Sequence, residues 1–119
     1  MSNQVLNPVE VEQAIREAVA TVAQGVDVVT QRLQAYREAQ WRFDQKWAGT
    51  YLTAEGPVEE RKQQCVLACA DEQAKLDVAE VAYKYAERKT RAAESALSAW
   101  QTLSRSVTAM YGAAGRAEY

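Results

Sequence analysis

From Cys65 to Tyr111 the chain keeps an almost unbroken heptad beat. Alternating steps of four and three land on Cys65, Cys69, Glu72, Leu76, Ala79, Tyr83, Ala86, Thr90, Ala93, Leu97, Trp100, Ser104, Val107 and Tyr111. No Pro or Gly interrupts that run, so it predicts one long helix whose apolar seam must be covered by other helices. A rod of this kind is suited to packing and assembly more than to chemistry. Beside the seam runs a second apolar row, Val78, Ala82, Tyr85, Ala92, Ala96, Ala99 and Leu103. A stripe that wide faces more than one neighbour.

The first half has a similar period. Asn7 followed by Pro8 is a helix start, an N-cap residue with Pro at the first helical position, and Glu10 and Glu12 place negative charge near the positive end of the helix dipole. The apolar positions Val11, Ile15, Ala18, Val22, Val26, Val29, Leu33, Tyr36, Phe43 and Trp47 follow, with polar Gln40 between Tyr36 and Phe43. One extra step near Gly25 makes a stutter, and Gly25 itself marks a bend or a close contact. Punctuation comes at Gly49–Pro57, where Gly56–Pro57 stops one helix and Glu59 and Glu60 open the next. Helices of about 40 and 54 residues, on the order of 60 and 80 Å long, would fold back on each other. A two-helix hairpin struggles to bury enough surface alone, which points to a homo-oligomer with a shared core. The alternative is a three-helix monomer whose first helix breaks at Gly25.

Composition narrows the function classes. The 119 residues are 48% hydrophobic and 25% charged with a net charge of −2, the make-up of one folded domain, not of a disordered tail or a strongly basic nucleic-acid binder. The N-terminus lacks the basic and apolar regions of a signal peptide, and no apolar run approaches the roughly 20 residues that cross a bilayer, so the expected compartment is the cytoplasm. There is no His, and the two cysteines, Cys65 and Cys69, share a helical face on the seam. Two thiols fall short of the about four ligands that zinc requires, and they read as small buried hydrophobes. Without His, Gly-rich phosphate loop or nucleophile turn, no catalytic residues, metal or cofactor are expected.

Two polar constellations stand out. Lys84, Arg88, Arg91, Ser95, Ser98, Thr102 and Arg105 recur at helical spacing along one side, a line that can follow a phosphate backbone or simply be a solvated face. Arg42 and Lys46 precede the turn, Arg61 and Lys62 follow it, and Trp41, Trp47 and Tyr51 lie beside them. Cations interleaved with aromatics suit single-stranded nucleic acid, where bases stack on rings and phosphates meet charge. Trp47 also fits the seam, and Tyr51 can cap the hairpin core. The triplet Trp47-Ala48-Gly49 evokes WXG-type secreted hairpins, although their Tyr and acidic residue four apart beyond the second helix is missing here.

The stretch YLTAEGPVEERKQQCVLACADEQAKLDVAEVAYKYAERKTRAAESALSAWQTLSRSV, roughly the C-terminal half, resembles small helical proteins encoded by phages of Gram-positive, especially actinobacterial, hosts. The AEG-x-VEERK turn, the AEVAYKYAER segment and the LSAWQTLSRSV ending carry the resemblance, which implies an accessory of phage DNA metabolism. More remotely, the layout is similar to UvsY-type recombination mediators: a long helix, a Gly-containing loop after a basic and aromatic stretch, and a second long helix. That resemblance implies rings of helical hairpins that bind single-stranded DNA and help load a recombinase. By position Lys46 matches one of that family's DNA-contacting basic residues, while Ala48 stands where another is expected.

The expectation is therefore an all-α, long antiparallel helical hairpin, coiled-coil-like and oligomeric, with a flexible N-terminus (1–7), one domain (8–111) turning near 49–57, and a frayed tail (112–119). It would be a non-enzymatic phage recombination mediator-like protein in the host cytoplasm. Arg42, Lys46, Arg61, Lys62, Lys84, Arg88 and Arg91 would meet single-stranded DNA, with Trp41 or Tyr51 stacking on bases. Its expected partners are further copies of itself, DNA, and a recombinase or single-strand-binding protein, with no membrane and no small-molecule substrate. The alternative is a protein-interaction module, an inhibitor or adaptor of a host protein, without DNA binding.

Overall fold

The computed structural model describes residues 7–117, and every element among them is helical: α1 (Pro8–Thr53), α2 (Val58–Ala68) and α3 (Ala70–Ala117). α1 starts where its cap residues predict. The Asn7 side-chain oxygen accepts the Glu10 backbone N–H at 2.9 Å, and the Asn7 carbonyl accepts the Val11 N–H at 3.2 Å.

The chain divides into two compact units. The first joins α1 up to Val26 with α3 from Arg88 onward; the second spans Asp27–Glu87. In the second unit the end of α1 and the start of α3 run antiparallel. Tyr36 meets Tyr83 with ring centroids 5.9 Å apart, and Lys46 meets Glu72 at 3.1 Å, so one helix ascends as the other descends. α2 closes this hairpin, with the Cys65 thiol donating to the Trp47 carbonyl at 3.6 Å.

The seam of the second half lies where its heptads place it. Every predicted position from Cys65 to Val107 is buried or half-buried, and only Tyr111 is exposed. The single long second helix is instead two, α2 and α3, separated by Cys69 alone. Its backbone (φ −99°, ψ 14°) leaves the α region, yet its N–H still reaches the Cys65 carbonyl at 2.9 Å and its own carbonyl accepts Gln73 N–H at 2.8 Å. These two hydrogen bonds span the interruption.

α1 departs from its expected pattern at three places. It passes Gly25 without a break, unlike the three-helix alternative. The seam runs through Gly25 itself, while Val26 is 54% exposed. The reason is in the first unit: a Cβ at position 25 would stand 2.5 Å from Thr90 Oγ1 and 3.1 Å from its Cγ2, so only glycine lets the two helices approach this closely. α1 also continues through Gly49 to Thr53, past the expected start of the turn. Gly49 has open space about it, and its carbonyl accepts the Thr53 hydroxyl at 3.1 Å. The true turn is 54–57, centred on Gly56 with φ +109°, a conformation that favours glycine. At the other end α3 continues through Gly112 and Gly115, where the tail was expected to fray, as far as Ala117.

Gly25→Ala should therefore destabilise, although alanine is the better helix former. We expect a loss of about 1–2 kcal/mol in urea unfolding from the forced overpacking. The added Thr90→Ala change should recover part of it, and strictly additive effects of the two changes would contradict this contact.

Candidate nucleic-acid interface

The nine residues singled out for DNA contact fall into separate places. Trp41, Arg42 and Lys46 come together on α1, on successive turns of one side, and line a groove between α1 and α3 in the second unit. The groove is a depression of about 690 Å³ that adjoins a second of about 420 Å³, the two sharing Ala35, Lys75 and Ala79. Alanines from both helices line it, which is how it comes to exist, since small side chains leave the space between the backbones unfilled. Trp41 stands at its edge, 62% exposed.

Charge in the groove is mixed but favours cations. Arg42 donates to Glu38 at 2.6 Å, an exposed pair one turn apart. Lys46 reaches across to Glu72, 3.1 and 3.2 Å from its two carboxylate oxygens. That bond holds the Glu72 carboxyl below its ordinary range, and it explains how a seam position can be a glutamate. Arg32 and Lys75 complete the cationic lining, and neither has an ion pair among the described residues. Four cations thus face two carboxylates. Next to Glu72, burial pushes the Cys69 thiol up, and the Glu72 carboxylate adds to the shift while Lys46 and the Thr50 hydroxyl oppose it. Both cysteines are buried and reduced.

Arg61 and Tyr51 also come together, but in a different role. The Arg61 guanidinium lies 4.2 Å above the Tyr51 ring and donates to the Tyr51 carbonyl at 2.8 Å. That carbonyl belongs to the last turn of α1, where backbone acceptors lack helical partners and carry the negative end of the dipole. Arg61 is half-buried there, with its Nε enclosed and unpartnered. The contact pins α2 to the end of α1 and fixes both side chains against each other. Gln64 adds a second tie, its amide donating to the Glu55 carbonyl at 3.0 Å.

The remaining cations are more dispersed. Lys62 is exposed near Glu59 at 3.7 Å, and Lys84 pairs with Glu80 at 2.7 Å on α3 in the second unit. Arg88 and Arg91 are exposed on α3 in the first unit. Among the described residues no cluster of His, Cys, Asp and Glu could hold a metal ion, and no helix is long and apolar enough to cross a membrane.

Sequence reasoning missed Arg32 and Lys75, which join the site only through the register of α1 against α3. No family model matches the chain, and no curated protein or solved structure matches it.

Arg61→Ala should cost roughly 2 kcal/mol in urea unfolding, from loss of a charged hydrogen bond and a cation–π contact. Lys62→Ala, exposed one residue away, should stay within about 0.5 kcal/mol. Equal effects of the two would contradict the pinning role of Arg61.

Proposed function

We propose that the chain is a non-enzymatic, self-associating helical protein that binds single-stranded DNA, in the manner of a phage recombination mediator acting in the host cytoplasm. The observation that carries this reading is the groove itself: Arg32, Arg42, Lys46 and Lys75 around an alanine-lined depression, with Trp41 exposed at the edge. Bases of a single strand stack on an aromatic face while its phosphates follow the cations. Arg32 and Lys75 meet phosphate without giving up an ion pair to any described residue, although the Glu72 carboxylate feels the Lys75 charge. The Arg42–Glu38 pair is solvent-exposed and worth about 0–1 kcal/mol, so a phosphate competes for Arg42 readily. Lys46 is held more firmly, because its carboxylate is half-buried. A recombinase or single-strand-binding protein would be the natural protein partner of such a complex.

Self-association is supported by apolar side chains left exposed on α3, Val78, Val81 and Tyr85 among them. A second reading draws on the same groove. Alanines on both helices allow a further helix to approach closely, which suits a protein-interaction module that docks a host protein without DNA.

Fluorescence anisotropy with a short labelled oligothymidylate separates the two. The DNA reading predicts binding at low salt that weakens steeply as salt rises. Replacing both Arg32 and Lys75 by alanine should make the log–log salt dependence shallower by about 1.4, the share of two single-strand phosphates. Absence of binding at about 50 mM salt, or a slope unmoved by the two substitutions, would overturn it in favour of the interaction module.

A further inference from the structure

On the outer side of α3 in the second unit, Val78, Val81 and Tyr85 are 71%, 69% and 65% exposed. With exposed Ala74 they recur at steps of four, three and four, the spacing of a coiled-coil seam. A helix that already has a buried seam against α1 thus carries a second one that none of the described residues covers. We propose that this row is the surface on which a second copy of the chain docks, antiparallel, about a twofold axis near Val81. The inference rests on the self-association proposed above and names its interface.

Two observations select a second copy as the occupant. The first is self-complementarity of the apolar row. In a reversed register the small Val78 of one copy lies against the large Tyr85 of the other, and Val81 meets its own symmetry mate. The second is charge. Asp77 and Lys84 lie one heptad apart on the same flank of the row, both exposed. Reversing the helix direction sets Asp77 of each copy beside Lys84 of the other, twice per dimer. Each group already has a neighbour on its own helix, Gln73 for Asp77 and Glu80 for Lys84, which leaves the side chains extended along the flank. The interface takes Lys84 away from the DNA-contacting set and leaves Arg32, Arg42, Lys46 and Lys75 outside the apolar row. Ala74 and Val78 line the groove as well, so the interface and the groove overlap along that edge.

Cysteine cross-linking tests the arrangement on the folded protein. The native cysteines are buried, so under mild oxidation an introduced surface thiol reacts alone. Val81→Cys should give a covalent dimer in high yield, whereas Gln34→Cys, exposed on α1, should stay at the mass of one chain. Light scattering supplies a second arm: Asp77→Lys should shift the wild-type dimer towards monomer, and Asp77→Lys with Lys84→Asp should restore it. A wild-type protein of single-chain mass at about 100 µM, equal cross-linking at positions 81 and 34, or no rescue by the charge swap would overturn the proposal. Oligonucleotide binding measured on the same samples keeps the two readings apart. A monomer that binds DNA sinks this interface alone, and a Val81-linked dimer indifferent to DNA sinks the DNA reading alone.

Discussion

Everything in this molecule follows from having one seam per helix pair. α1 and α3 hide a single stripe each, and that stripe is made largely of small residues. Among the described residues the fully buried side chains are Val11, Cys65 and Cys69, with Ala86 and Val107 close behind. Burial stabilises in proportion to apolar area, at about 25 cal/mol per Å², so a seam of alanine, cysteine and valine contributes less than one of leucine and phenylalanine. What small residues provide instead is proximity. Gly25 against Thr90 in the first unit and Cys65 against the Trp47 backbone in the second are contacts that a larger side chain would forbid. The same economy of side chain leaves a groove on one flank and an apolar row beside it, and both are open to other molecules.

Polar groups compensate locally for the thin core. The half-buried Glu72 is neutralised by Lys46 from the opposite helix, and Arg61 satisfies a carbonyl at the end of α1 while its plane rests on Tyr51. These contacts explain why cations near the turn are not equivalent. Arg61 is tied to the end of α1, Lys46 is shared between fold and groove, and Arg32 and Lys75 have no ion pair among the described residues. A ligand of negative charge would draw on them in the reverse of that order.

Much of this was legible from residue order. A strict heptad places every α3 seam position from Cys65 to Val107, because period alone decides which face of an uninterrupted helix is apolar. Asn7 and Pro8 mark the start of α1, since capping is a local matter. The seam of α1 was misplaced by one residue at Gly25, because glycine has no side chain to register as apolar and its burial depends on Thr90 across the interface. The turn was drawn too early, at Gly49, because glycine weakens a helix without ending it when the following hydroxyl and Arg61 secure the last turn. That error hid the register of α1 against α3, and with it the meeting of Arg32 and Lys75. Trp41, Arg42 and Lys46 were found because they are neighbours in sequence. The interruption at Cys69 has no sequence signal, since neither Gly nor Pro stands there.

The central claim is that one seam does not suffice and that a second copy completes the core. Thermal unfolding followed by circular dichroism over a range of protein concentrations reads this directly. If folding is coupled to association, the midpoint rises with concentration, by mass action, across about 1 to 100 µM. A midpoint that stays constant over that range, with full helical content at the lowest concentration, would show that the seam between α1 and α3 is enough by itself.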